Sequence, residues 1–324
     1  MTKKLPEASI IIPALNATET LGKTLDSIIK YSIHLRAEVI VVIDGIDKPT
    51  EAIASRYPIQ VIIGNGKGPG AARNIGIAYS TGNILFFLDA DCIVSEQWYM
   101  EHIRVHQKHT GLLAVGGSIS KKPNMSLWAT CDHYCSWYNV NPGCKRSWVP
   151  NHPPANLSIS RETFHLVGPF EEEISKKGVH EEADWQGNLL RENGRILFEP
   201  RASVSHIDRG DFRSYLKHNY WWAYNSVPIK SRTGISRFPT VYQNQWLLLA
   251  LFIPFSFAHT LYTIWRWFRS GDIIPLLLSP LIFVGRLSYA LGMVDGKISS
   301  TFSKGRYQFR PLKKHRRIVL ERYL

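Results

Sequence analysis

Cysteine is scarce, with four in 324 residues. Cys131, Cys135 and Cys144 cluster around His133. Their spacing matches no standard zinc pattern, and reduced thiols in a cytosolic domain are the expectation. Acids are in deficit, 26 against 39 Lys and Arg, which gives a formal net charge of +13. No recognised nucleic-acid module accompanies that charge, so no nucleic-acid partner is expected. The excess is strongest from Lys297 to Leu324, where Glu321 is the only acid. That tail directly follows two long apolar stretches, and a basic segment so placed points to an anionic membrane surface. The N-terminus leads into an apolar strand with no signal-peptide core, so secretion is not expected. A G-x-G-x-x-G after the first strand is also missing, which removes support for a dinucleotide fold.

Hydrophobic residues make up 44% of the chain, enough for a core and for more than one structural unit. Ala8–Pro13, Glu38–Ile43, Gln60–Ile63 and Ile84–Leu88 read as buried strands. Between them Thr20–Lys30, Thr50–Arg56 and Gly70–Ser80 read as helices. This alternation predicts an α/β fold with a mostly parallel sheet and helices on both faces. Glu96–His109 reads as helix and Leu112–Gly116 as strand. Residues 118–155, rich in aromatics, proline and asparagine, have no clear period and read as one long irregular segment. Order returns with strand Ala155–Ser160, helices Arg161–Val167 and Glu181–Asn193, and short strands Arg195–Glu199 and Ser203–His206. Trp246–Trp265 and Ile273–Met293 are each long enough to cross a bilayer core, about 20 residues of helix. A C-terminal hydrophobic helical hairpin that spans or lies in the interface is therefore expected.

The run Asn83–Asp91 ends in two carboxylates, Asp89 and Asp91. Alternation puts both on one face of the strand, beyond its carboxyl end, where an open parallel sheet binds ligands. Their repulsion is relieved most simply by a divalent cation, an arginine or a phosphate–metal unit. Asp44 follows another strand and stands at the same edge, able to accept from a nucleobase N–H or ribose hydroxyls. Glycines from Gly64 to Gly76 open a helix whose terminus favours anions, and Arg73 there could reach a phosphate or lock Asp89. Glu181, Glu182 and Asp184 crowd another helix start. The helix dipole alone favours acids there; the chemical reading is a general base. His206 ends a strand and is a reasonable metal partner after Asp91.

Six segments carry these residues in order: Ile11-Ile12-Pro13-Ala14-Leu15-Asn16, Val42-Ile43-Asp44-Gly45, Gly70-Ala71-Ala72-Arg73-Asn74-Ile75-Gly76, Leu88-Asp89-Ala90-Asp91, Glu181-Glu182-Ala183-Asp184-Trp185 and Val204-Ser205-His206. Together they resemble family-2 inverting glycosyltransferases of the GT-A (Rossmann-like) fold, over about residues 8 to 225. The resemblance implies that Pro13, Asn16 and Asp44 line the nucleoside site. It assigns Arg73 and Asp89 to ribose and diphosphate, and Asp91 to Mg²⁺ or Mn²⁺ with His206 as a further ligand. Asn156 falls in a loop facing sugar and acceptor. The base position falls on Glu182, after Glu181, with Asp184 as the alternative. The chain departs from the pattern in three places. The family's Asp-Asp-Gly-Ser box reads Ile43-Asp44-Gly45-Ile46, the Glu usual after Asn16 is Ala17, and the Gln-x-x-Arg-Trp box of processive synthases is missing around His218–Trp222. The last departure points to single-sugar transfer.

The expected organisation is a nucleotide-sugar half over residues 1–117 and an acceptor-binding, catalytic half of the same domain over 118–240. A membrane-associated segment over 241–295 and a basic tail over 296–324 follow. The expected activity is metal-dependent transfer of one sugar from a UDP- or GDP-sugar to a hydroxyl of a lipid-linked or cell-envelope glycan acceptor. The expected place is the cell membrane, with the catalytic domain on its cytoplasmic side. A sugar-phosphate nucleotidyltransferase would need a Gly-rich triphosphate loop, which residues 13–20 do not supply. A catalytically inactive membrane-anchored scaffold is opposed by the retention of Asp91 together with Glu182 and Asp184.

Overall fold

The computed structural model describes residues 7–32, 36–172, 181–233 and 244–302. Two compact units divide the described residues: those up to 120 with 145–207, and 121–144 with 208–302. Residues 145–207 return to the first unit after the excursion of 121–144. The basic tail beyond residue 302 and the side chain of Glu181 lie outside the described residues.

The first unit runs β1 (Ala8–Ala14), α1 (Leu21–Ser32), β2 (Ala37–Ile43), α2 (Lys48–Ala54), β3 (Gln60–Ile63), α3 (Pro69–Ala78), β4 (Ile84–Leu88), β5 (Cys92–Val94), α4 (Trp98–Lys108) and β6 (Leu113–Lys121). The second unit opens with α5 (Leu127–Ser136). The first then resumes with β7 (Ser147–Val149), β8 (Asn156–Ser160), α6 (Arg161–Val167), α7 (Glu181–Arg191) and β9 (Arg195–His206). The second is completed by α8 (Phe212–Thr233), α9 (Gln245–Ala250), α10 (Phe252–Arg269), α11 (Ile274–Leu277) and α12 (Ser279–Phe302).

The sheet order is β3-β2-β1-β4-β8-β6-β9-β5, with β7 beside β9. Strands β3, β2, β1 and β4 are parallel, whereas β8 pairs antiparallel with β4 and β6, and β9 pairs antiparallel with β5 and β7. The chain builds outward from β1 through β2 to β3, then crosses back to β4 on the other side of β1. That reversal is the switch point of an α/β sheet, where the loops after neighbouring strands diverge and leave a crevice. Both faces are covered, as expected. Ile11, Phe87, Leu157, Phe170 and Trp185 are buried in one cluster. On the other face Phe86 meets Trp98, Tyr99 and His102 of α4, with ring centroids 5.1 to 5.3 Å apart.

In the second unit α12 lies along α8. A Cβ on Gly292 or Gly296 would run into the backbone oxygens of Tyr220 or Tyr224, so the two helices approach backbone to backbone there. Among the described residues no helix is long and apolar enough to cross a membrane. This corrects the expectation of a spanning hydrophobic hairpin. The apolar stretches form helices, but the first is divided between α9 and α10 and the second between α11 and α12. Arg286 is buried within α12, where its Nη2 donates to Cys135 O at 2.8 Å and to Thr263 Oγ1 at 2.6 Å.

A buried histidine cluster ties the sheet to α4. Asn156 Oδ1 accepts from Trp98 Nε1 (2.7 Å) and His102 Nε2 (3.0 Å), and its Nδ2 donates to Ser118 O and Ala202 O. With Nε2 donating, His102 Nδ1 is left to accept from Ser158 Oγ at 2.8 Å. Burial pushes the pKa of His102 down to about 4 and that of His152 to about 3. A folded-state pKa below the unfolded value near 6.5 gives stability that is complete at neutral pH and lost as pH falls through 6 toward 4. Between pH 7.5 and 5 each of the two histidines is expected to cost about 2 kcal/mol. Denaturant midpoints at both pH values check this, and a His102→Gln variant should show a shallower acid decline than the parent.

Candidate active site

The crevice is built at the carboxyl ends of β1, β2 and β4. Pro13, next to last in β1, stands in register with Val42 of β2. Asn16 then takes a left-handed backbone, φ 52°, a conformation asparagine tolerates better than most residues. Its N–H donates to Asp47 Oδ2 at 2.6 Å, and Ala17 N donates to Thr50 Oγ1 at 3.0 Å, so the loop is stitched to the start of α2. Asp44 is buried beside it. One oxygen, Oδ2, accepts from Gly68 N at 2.8 Å, while Oδ1 is buried with no protein partner. A buried carboxylate oxygen without a donor is costly, and a ligand N–H or hydroxyl arriving at this edge would satisfy it.

Arg73 lies on α3, buried, and its Nη2 contacts Asp89 Oδ1 at 3.0 Å. Desolvation raises the Asp89 pKa; the Arg73 guanidinium pulls it down and the Asp91 charge pushes it up again. Strand pairing sets Cys92 opposite His206, and Ile207 N donates to Asp91 O at 2.9 Å. These bonds bring His206 Nε2 to 3.3 Å from Asp91 Oδ1, although the residues are far apart in sequence. The His206 side chain is nearly buried and that of Asp91 is 28% exposed, so the pair opens to the crevice through the carboxylate.

Asp91, Cys92 and His206 each offer a ligand atom, all within 4.8 Å of one another; no other such group occurs among the described residues. The Asp91 carboxylate suits Mn²⁺ or Mg²⁺, the His206 imidazole is a borderline ligand better matched to a transition metal such as Mn²⁺ than to Mg²⁺, and the soft thiol of Cys92 suits neither. The donor set thus fits a hard divalent ion held by Asp91 and His206. Sequence reading did not single out Cys92, whose place beside Asp91 was its only signal.

Helix α7 carries the acidic triplet. Trp185, Gln186, Leu189 and Leu190 form its buried face. On a 3.6-residue period Glu182 falls within that face and Asp184 on the opposite side. Gln186 latches His152, accepting from His152 N at 2.8 Å and donating to His152 O at 2.6 Å. Four residues later β8 opens with Asn156 opposite Leu88, the last residue of β4. Helix α7 is thereby tied through Gln186 to the segment that leads into β8, the strand beside β4. Asn156, expected to face sugar and acceptor, is instead fully buried with its amide engaged by the bonds given above. Asn74 was quoted without a role; its side chain brackets Phe170, donating to Phe170 O and accepting from Phe170 N, both at 2.9 Å.

The glycosyl transferase family 2 model matches residues 9–170, half of the chain. Glycosyltransferase AglE of Haloferax volcanii is 32% identical over 189 residues, which cover 56% of this chain and 61% of AglE. The chain thus spans less than two thirds of that relative. Among solved structures, mannosyltransferase PcManGT from Pyrobaculum calidifontis, in complex with GDP-Man and Mn²⁺, gives a TM-score of 0.59 at 16% identity. That alignment covers 94% of this chain and 89% of PcManGT. GalNAc-T7 with UDP, GalNAc and Mn²⁺ gives 0.50 at 18% identity, covering 72% of this chain and 51% of that one. At these identities the structural likeness is one of fold.

Proposed function

The chain belongs to glycosyl transferase family 2, and on that premise we propose that it is an inverting, non-processive glycosyltransferase. Its donor is a UDP- or GDP-sugar and its acceptor a hydroxyl of a lipid-linked or cell-envelope glycan, met at the cytoplasmic face of the cell membrane. The observation that carries this reading is the cluster at the switch point: the Asp91–His206 pair, the Arg73–Asp89 pair and the unpartnered oxygen of Asp44 share one sheet edge. The complexes of PcManGT with GDP-Man and of GalNAc-T7 with UDP, each with Mn²⁺, support the donor class.

In this reading Asp44 Oδ1 accepts a hydrogen bond from the nucleoside, and the loop stapled through Asn16 and Pro13 forms its seat. Arg73 holds Asp89 in place beneath the ribose and diphosphate. Asp91 and His206 would hold a divalent ion, whose positive charge would stabilise the departing diphosphate. Glu182 takes the proton of the acceptor hydroxyl, whose oxygen bonds to the anomeric carbon from the face opposite the phosphate. The carbon–oxygen bond to the diphosphate breaks, a nucleoside diphosphate leaves, and the configuration inverts.

The test is incubation of the purified chain with Mn²⁺, a panel of UDP- and GDP-sugars and a lipid-extracted acceptor fraction. Nucleoside diphosphate release is expected with one donor or a narrow set of them, and NMR of the product should show the anomeric configuration opposite to the donor. Donor binding without turnover across the panel would overturn the enzymatic reading; retained configuration would overturn the direct displacement.

A further inference from the structure

Helix α10 is inside out. Its inward side carries Ser256, Thr260 and Thr263, at most 5% exposed. These hydroxyls bond back to the carbonyls four residues earlier at 2.8 Å, and Thr263 also receives the guanidinium of Arg286. Its outward side carries Ile253, Phe257, Leu261, Trp265 and Phe268, each 46% to 64% exposed. Their spacing of three or four residues puts them on one continuous stripe. A helix packed on a protein and facing water has the reverse arrangement. The stripe extends on both sides in sequence, through exposed Trp246 and Leu249 of α9 and through exposed large aliphatics from Ile273 to Leu277. A patch of that extent exceeds what soluble monomers ordinarily expose.

The surroundings select the occupant. Between Trp246 and Leu277 the one acid is Asp272, and its carboxylate accepts from Tyr134 Oη at 2.9 Å. The bases there are Arg266 and Arg269, and the Arg269 guanidinium sits 5.2 Å over the ring of exposed Trp265. An apolar stripe with tryptophan and arginine at its end and no free carboxylate matches the boundary between acyl chains and anionic headgroups. A second copy of this chain would bring an equal net charge of +13 to the face, so self-association is opposed where an anionic bilayer is favoured.

We propose that the outward stripe of α10 is a membrane-docking surface on which the protein rests against an anionic phospholipid bilayer. The helix lies in the plane of the interface, about 27 Å long, and does not cross it, because its inner side is committed to polar contacts with α12. This rests on the membrane-side reading above and names the surface responsible for it.

The experiment is co-sedimentation of the full-length protein with vesicles of phosphatidylcholine and phosphatidylglycerol, compared with phosphatidylcholine alone. Raised salt weakens attraction through the basic residues beyond 302. The expected result is tighter partitioning onto the anionic vesicles and at least a tenfold loss of partitioning in a Phe257→Ser/Leu261→Ser double variant. A Leu166→Ser control, altering an exposed leucine of the first unit, should bind as the parent does. An unchanged thermal midpoint shows that the double variant is folded; if it is not, Phe268→Ser serves alone. Undiminished vesicle binding by folded variants overturns the proposal. So does light scattering showing a dimer of the parent that the double variant dissociates. Donor turnover in detergent on the same samples separates the two readings: vesicle binding without turnover removes the transferase and leaves the docking surface. Turnover without vesicle binding does the opposite.

Discussion

Asp91→Ala is expected to lower kcat/KM for sugar transfer by about a thousandfold, roughly 4 kcal/mol of transition-state stabilisation. The loss should appear with the fold intact. The carboxylate is partly exposed and touches the His206 and Cys92 side chains, while the Asp91 backbone oxygen keeps its bond from Ile207 N. Removing it leaves one imidazole to hold a divalent ion and two fewer oxygens facing the diphosphate. Activity should therefore respond to added Mn²⁺ only at much higher concentration. His206→Ala should cost less, about tenfold to a hundredfold, because the carboxylate that carries the charge remains. Donor turnover against Mn²⁺ concentration, read with a thermal midpoint, checks both. Activity of Asp91→Ala within tenfold of the parent at saturating Mn²⁺ would remove this pair from the chemistry.

Glu182→Gln is expected to lower kcat by a factor of about 10² to 10⁴, the usual contribution of a general base. Donor KM should stay where it was, because the side chain acts on the acceptor. The carboxylate and the amide have nearly the same shape, so the inward side of α7 should pack unchanged around Trp185 and Leu189. Asp184→Asn should change kcat by no more than a few fold, since the helical phase turns that side chain away from the face anchored by Gln186. Steady-state kinetics across pH separates the two: the acid limb of the kcat profile should vanish in Glu182→Gln and persist in Asp184→Asn. A larger loss in Asp184→Asn would move the base to that residue.

The elements that sequence located best are those whose side chains repeat on a local period. Gln60–Ile63 and Ile84–Leu88 lie where apolar runs put them, and helix Arg161–Val167 has the bounds read for it, with Ser160 Oγ capping it by accepting from Thr163 N. Elements stabilised by distant polar partners were harder to see. Helix α5 sits inside the stretch read as irregular, because its buried side includes Asp132 and His133, which pair with His218 and Asp208 and hide the apolar repeat. Its cap, Ser126, with Oγ accepting from Ala129 N, was the signal available. The two short strands read at the end of the first unit are one strand, β9. Pro200 removes a donor from the backbone without stopping the pairing on either side, and its own carbonyl accepts from Ser118 Oγ at 2.7 Å.

The sequence by itself determined the alternation of strand and helix, the two carboxylates at the end of β4 and the family that owns them, since each is written in neighbouring residues. Only the tertiary structure decided which of the quoted residues meet. Pairing of β5 with β9, two strands far apart in sequence, brought His206 to Asp91, and the same sheet drew Asn156 into its interior. It also decided that the first long apolar stretch is divided into two helices, neither long and apolar enough to cross a membrane: hydrophobicity is a property of the run, but which side faces the protein depends on its partner helix, and here that partner takes the hydroxyls and leaves the apolar side chains outside.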